Sequence, residues 1–109
     1  MEIMKIKWYI KQKWQKITRG YSDEELWNLD STICGWLLPR LKAFKEKTIG
    51  YPPTLNSPKE WNDILAKIIL ALELHNSDLP DTPEQARIEG EQIKEGFELF
   101  GKYFCNLWW

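Results

Sequence analysis

The sequence predicts an all-α fold, a compact bundle of about four helices in which the second helix is kinked at Pro39. Apolar residues recur at three- and four-residue intervals along most of the chain, and serine or threonine stands where helices would begin. Apart from one ambiguous segment near the start of the chain, no segment alternates well enough to form a strand. The 109 residues, 43% hydrophobic and 28% charged, fit one globular domain spanning residues 1–109.

The segment 3–17 allows two interpretations. Ile3, Ile6 and Ile10 lie at helical spacing, followed by Trp14 and Ile17. Residues 4–11 also alternate between apolar residues and mostly lysines, as in a strand. Because no partner strand is found elsewhere, we expect a basic amphipathic helix that ends at Gly20.

The second helix is expected to begin at Ser22, since Ser22 and Glu25 have the spacing of a capping box. Pro39 removes one backbone hydrogen bond and clashes with the preceding turn, which predicts a kink or a short break at Leu38–Pro39. Gly50 is the expected end of this helix.

Two further helices are predicted after cap-and-proline pairs, Ser57-Pro58 and Thr82-Pro83. The first of them is expected to be central in the bundle and to end near His75. The other contains three glycines, which we interpret as points of close helix packing, the alternative being room for a ligand. They are Gly90, Gly96 and Gly101.

Charge is unevenly distributed in a chain whose net charge is only −1. Residues 1–20 hold six Lys or Arg and one Glu, whereas residues 80–109 hold six Asp or Glu and three Lys or Arg. Either the two ends complement each other, or the basic end meets an anion. No apolar run reaches the roughly 18 residues that span a bilayer, and Cys34 and Cys105 are interpreted as reduced thiols. We therefore expect a cytoplasmic protein without a membrane partner.

Patterns that specify catalysis are missing from the sequence. There is one histidine, His75, which we expect to cap a helix end or to face solvent. There is no paired Cys–His spacing, no glycine-rich phosphate loop and no nucleophile motif. The sequence thus predicts a protein that is not an enzyme and that has no catalytic residue, metal or cofactor.

A charged set near the apolar stripes is the candidate ligand site. Asp30 is expected on or beside a buried helix face, where a carboxylate needs a partner, and Arg19 and Arg40 are the candidates. One interpretation is a fixed Asp–Arg bridge. The other is a polar pocket in which the arginines grip a carboxylate or phosphate, with Tyr21 and Tyr51 nearby.

Seven tryptophans are many for this length. Trp27, Trp36 and Trp61 are interpreted as core residues. The other four lie towards the ends of the chain, where aromatic residues serve as hot spots of protein interfaces or cover lysines through cation–π contacts. These predicted interface residues are Trp8, Trp14, Trp108 and Trp109.

Four stretches together resemble a family of small uncharacterised proteins encoded by bacteriophages and prophages. They are Arg19-Gly20-Tyr21-Ser22-Asp23 with Leu26-Trp27-Asn28-Leu29-Asp30, Leu38-Pro39-Arg40-Leu41 with Phe44-Lys45, Gly50-Tyr51-Pro52 with Glu60-Trp61 and Ile64-Leu65, and Phe97-Glu98-Leu99-Phe100 through Tyr103-Phe104 to Leu107-Trp108. The resemblance covers the chain from about residue 14 onward and is lost between His75 and Gly90. It implies a phage-encoded accessory protein in a bacterial cytoplasm, and it assigns no role to any residue.

The leading functional hypothesis is a counter-defence binding protein that sequesters a host nucleotide signal, such as a cyclic nucleotide or another phosphate-bearing small molecule. Arg19 and Arg40 would hold phosphates and Tyr21 and Tyr51 would stack on bases, in a shared pocket of a homo-oligomer. The alternative is a protein–protein inhibitor or adaptor that acts on a host or phage enzyme through exposed aromatic residues. Nucleic-acid binding through the basic first helix is a third interpretation, against which the net acidity argues.

Overall fold

A computed structural model describes residues 2–108, which form five α-helices, one short 3₁₀-helix and no strand. The all-α prediction is confirmed, and the segment 3–17 is helical. The arrangement of the helices as a four-helix bundle stays a prediction. The elements are α1 (Glu2–Arg19), α2 (Asp23–Trp27), α3 (Leu29–Lys47), α4 (Pro58–His75) and α5 (Pro83–Tyr103), followed by the 3₁₀-helix Phe104–Asn106.

Backbone packing divides the chain into two compact units. The first ends at Ile33 and the second begins at Cys34, so the boundary falls inside α3. The first unit contains α1, α2 and the start of α3. The second contains the rest of α3, α4, α5 and the 3₁₀-helix. The prediction of a single domain over 1–109 stays a prediction.

Local chemistry explains where the helices begin. The side-chain oxygens of Ser22, Ser57 and Thr82 each accept a hydrogen bond from the backbone N–H three residues later. Pro58 and Pro83 stand at the first helical position, where no N–H is needed. The predicted starts are confirmed, because a cap satisfies its helix's own orphan donors and does not depend on distant packing.

Gly20 ends α1 as predicted. Its φ is +87°, in the left-handed region, and its N–H donates to the Lys16 carbonyl at 3.0 Å. A glycine adopts this conformation without the steric cost that a Cβ would bring.

The second predicted helix is interrupted at Asn28, which separates α2 from α3 with a non-helical φ of −121° and ψ of 50°. Asparagine competes for backbone hydrogen bonds and is a poor interior helix residue. The helix α3 then continues through Pro39 to Lys47, three residues before Gly50. A kink at Pro39 stays a prediction.

The core of the second unit is built on α4, as predicted from its apolar spacing. Trp61, Leu65, Ile68 and Leu72 are buried on one face of this helix. The Trp61 ring, only 2% exposed, meets Phe44 and Tyr103 edge to face, with ring centroids 6.5 and 5.6 Å away. Such aromatic pairs favour one arrangement of the surrounding elements over a general apolar collapse.

The prediction that Trp27 and Trp36 are core residues is wrong. Trp27 is 86% exposed and Trp36 is 59% exposed. Trp27 is the last residue of the five-residue α2, which has no buried residue of its own. The guanidinium of Arg40 instead stacks on the Trp36 ring, 4.1 Å from the ring centroid. Helical spacing identified apolar positions here but not which of them would be covered.

The cysteines and glycines differ in their surroundings. Cys34 is buried and Cys105 is exposed, and the structure keeps both as thiols. Among the glycines of α5, Gly96 is buried against α4, whereas Gly90 and Gly101 face open space. Close packing is therefore confirmed for Gly96 alone. None of the helices between residues 2 and 108 is long and apolar enough to cross a bilayer.

Candidate functional site

The predicted ligand residues are divided between the two units. Arg19, Tyr21 and Asp30 belong to the first unit, and Arg40 and Tyr51 belong to the second. Asp30, which was expected on or beside a buried helix face, is exposed. The break at Asn28 puts this carboxylate in the first turn of α3, a position that the helix dipole favours for an acid.

The side chain of Arg19 contacts residues of the turn between α1 and α2. Its Nη2 lies 2.6 Å from Oδ1 of Asp23, and its Nε donates to the Tyr21 carbonyl at 3.0 Å. The guanidinium also lies over the Tyr21 ring, 4.5 Å from the centroid. To grip a phosphate, this arginine would first have to give up these contacts.

Arg40 is held in a similar way within the second unit. Its Nη1 donates to the Trp36 carbonyl at 2.7 Å while the guanidinium stacks on the Trp36 ring. Tyr51 lines a different feature, a cleft of about 180 Å³ formed with Pro52, Trp61 and Trp108. Pockets for small molecules usually measure roughly 300 to 1,000 Å³, so this cleft is small for a nucleotide.

The junction of α1 and α2 is polar. Two glutamines of α1 reach across it, and the side-chain oxygens of Gln15 and Gln12 accept from the backbone N–H groups of Asp23 and Glu24 at 2.9 and 3.0 Å. Together with Ser22 they satisfy the first donors of α2. The amide of Gln15 also donates to Asp23 at 2.8 Å. This bond, then the bond from Arg19, lowers the pKa of the Asp23 carboxyl below its ordinary value.

Since α1 faces α2 with glutamines, its apolar residues are left exposed. Five of them form a row along the helix, with exposed fractions between 56% for Ile6 and 78% for Ile17. The intervals along the helix are three, four, four and three residues, which place the side chains on one face. We call this set the α1 stripe, and its members are Ile3, Ile6, Ile10, Trp14 and Ile17.

Lysines stand at both edges of the α1 stripe. At about 100° of rotation per residue, Lys7 falls about 20° beyond Trp14 and Lys13 falls about 20° beyond Ile6 on the other side. Both lysines are exposed. The stripe is therefore a narrow apolar band with a lysine at each edge, and the Nζ of Lys13 lies over the Tyr9 ring, 4.9 Å from its centroid.

Two open grooves run beside Gln12 on the other side of α1. One, of about 310 Å³, includes Trp8, Lys11 and Trp27, and the other, of about 470 Å³, includes Trp8, Lys13 and Lys16. Glu24 lines both grooves, and the larger also includes Glu25. These carboxylates oppose the binding of a phosphate beside the lysines.

Three of the predicted interface tryptophans, Trp8, Trp14 and Trp108, are exposed. Trp109 lies outside the described residues. The isoleucines of the α1 stripe were not predicted as surface residues, because an apolar helical face ordinarily packs into a core. The signal that would have identified them is the pair of glutamines on the opposite face, which can cap a neighbouring helix.

Among residues 2–108, the side chains of His, Cys, Asp and Glu form no group of three or more that could hold a metal ion. Comparison of the chain with protein-family models, with curated proteins and with solved structures finds no match. The resemblance to phage-encoded proteins stays a prediction.

Proposed function

We propose that this protein acts by binding a partner protein, and that the α1 stripe is the surface that binds. The observation that carries the proposal is the exposure of four isoleucines and Trp14 on one face of a helix. A contiguous apolar surface on a folded protein costs free energy in water and marks a site of interaction. The mode is that of an amphipathic helix whose apolar side chains enter a groove.

This proposal corresponds to the interpretation as an inhibitor or adaptor of a host or phage enzyme. The hydrogen bonds of α1 support it, because Gln12, Gln15 and Arg19 join the polar face of the helix to α2 and its capping turn. A helix whose orientation is fixed in advance loses less entropy on binding. Trp8 and Trp27 lie beside Gln12 on the other side of α1 and are not part of this surface.

Sequestration of a nucleotide stays a prediction that the geometry supports less well. The guanidinium groups of Arg19 and Arg40 each stack on an aromatic ring and donate to a backbone carbonyl. Calorimetry with a panel of cyclic dinucleotides and trinucleotides tests it directly. If the heat of nucleotide binding disappears in an Arg19→Ala or Arg40→Ala variant, nucleotide sequestration is favoured over binding of a partner protein through the α1 stripe.

The test of the proposed function is affinity capture with the full chain, followed by reconstitution of the complex from purified proteins. An Ile6→Ser/Ile10→Ser variant removes the middle of the α1 stripe. An Ile49→Ser/Leu79→Ser variant removes two equally apolar side chains that are highly exposed elsewhere. We expect a partner that binds the wild type and the control variant but not the stripe variant. If the purified partner binds both variants equally, the stripe is not the binding surface.

A further inference from the structure

We infer that the partner surface seated on the α1 stripe is an acidic amphipathic helix. This inference rests on the proposed function and adds the chemistry of the partner. It follows from three features of α1, which are the spacing of the stripe, its narrow width and the sign of the charges at its edges.

The spacing of the stripe suits contact with one partner helix. Ile3 and Ile17 are separated by intervals of three, four, four and three residues, which keep the five side chains on one face without the strict alternation of a heptad repeat. At about 1.5 Å of rise per residue, the stripe is about 21 Å long. A single partner helix of about four turns would cover its full length.

The width of the stripe favours one helix over a broader surface. Its members span about 80° of the helix circumference, less than the roughly 100° or more that a globular core usually covers. A bilayer surface, like a core, would accommodate a wider apolar face. Lys7 and Lys13 stand at the two edges of the stripe, and the exposed side chains of Met4 and Tyr9 lie beyond them.

The charges at the edges select an acidic partner. In paired helices, the residues that flank the apolar seam decide which partner is accepted. Lys7 and Lys13 would meet like charges in a second copy of α1, which disfavours self-association through this face. Glutamates at the flanking positions of a partner helix would instead lie opposite the lysines.

The experiment compares two synthetic peptides against the full-length protein. Both are helical peptides of three heptads with leucine at the seam, one with glutamate and the other with lysine at the flanking positions. The like charges at the flanking positions disfavour self-association of each peptide. Binding of the fluorescently labelled peptides is measured by anisotropy at physiological salt, and circular dichroism checks the fold of every variant.

We expect the glutamate peptide to bind at least about tenfold more tightly than the lysine peptide, in keeping with the cost of like charges across an interface. The Ile6→Ser/Ile10→Ser variant should lose this binding, and the Ile49→Ser/Leu79→Ser control should keep it. A Lys7→Glu/Lys13→Glu variant should reverse the preference. Lys11 is left unchanged in that variant because it lies 3.9 Å from Asp23.

Four outcomes would overturn the inference. They are equal binding of both peptides, no binding of either, binding to phosphatidylglycerol vesicles without a peptide preference, and a dimer in light scattering that the stripe variant abolishes. If a captured protein binds only when the α1 stripe is intact, any of the first three outcomes contradicts the acidic helix alone. The proposed function is then kept. Failure of both the capture and the peptide experiment removes the two together.

Discussion

Gly96 of α5 lies directly against Ala71 of α4. A Cβ built at position 96 would collide with the Ala71 side chain and would lie 2.7 Å from the backbone carbonyl oxygen of Lys67. The missing side chain of Gly96 is what allows the two helices to approach. An exposed ion pair also joins the two helices at this contact, with Nζ of Lys67 2.8 Å from Oε1 of Glu95.

Gly96→Ala should destabilise the protein by about 1 to 3 kcal/mol, since a backbone carbonyl cannot move aside as a flexible side chain can. Gly101→Ala is the matched control, because nothing lies within 4 Å of a Cβ at that position of α5. The control should raise the free energy of unfolding by about 0.5 to 1 kcal/mol through helix propensity. Urea unfolding measures both, and a stabilised Gly96→Ala protein would contradict the close contact.

The tryptophans should separate clearly by their effect on stability. Trp61→Ala removes the buried ring between Phe44 and Tyr103 and should cost about 3 to 5 kcal/mol. Trp36→Ala, in the same unit, removes only an exposed ring stacked on Arg40 and should cost at most about 1 kcal/mol. Thermal or urea unfolding followed by circular dichroism gives the comparison. Similar losses for the two variants would mean that Trp36 is covered in solution.

The Asp23 carboxyl should titrate below its ordinary value of 3.8, and Gln15→Ala should move its pKa upward. A carboxyl whose pKa is lowered by folding contributes stability above its unfolded pKa, and that contribution is lost as the pH falls through the folded value. The contact between α1 and α2 is therefore expected to weaken in acid. The measurement is carbon-detected NMR titration of the side-chain carboxyl.

Gln12→Ala is the control for this titration, because Gln12 accepts from the Glu24 N–H and does not touch the Asp23 carboxylate. Its effect on the pKa of Asp23 should be much the smaller. A pKa that is the same in the Gln15→Ala protein and the wild type would show that the Gln15 bond to Asp23 does not persist in solution.

The two cysteines should differ in reactivity. Cys105 is exposed and Cys34 is buried, so N-ethylmaleimide should add one label to the native protein and a second only in denaturant. Mass spectrometry of the intact protein counts the labels. A Cys105→Ser variant should take up none while folded, and rapid labelling of that variant would show that Cys34 is accessible.

Much of the secondary structure follows from short-range chemistry. Ser22, Ser57 and Thr82 begin helices because each side chain bonds a donor three residues away, and Gly20 ends one because it adopts a positive φ. These interactions are complete within a few residues of the chain. They were therefore predictable without knowledge of the fold.

Which apolar face is covered is decided by what packs against it. The sequence pattern gave the stripe of α1 and the face of α4 the same helical spacing, yet Ile10 is exposed while Leu65 is fully buried. Leu65 lies where Tyr103, Leu41 and other distant residues converge. Near Ile10, the neighbouring helix α2 is held by glutamines on the opposite side of α1.

The candidate site shows the same division. Trp8 and Trp14 were predicted as surface residues because the chain has many tryptophans and these two lie near one end of it. The isoleucines beside Trp14 were not predicted as surface residues. The predicted Arg–Asp pocket joined residues about ten positions apart, whereas Arg19 pairs with Asp23 and Arg40 stacks on Trp36, each only four residues away in the chain. Caps, turns and these contacts four residues apart depend on neighbours in the chain, but burial depends on groups brought together only when the chain folds.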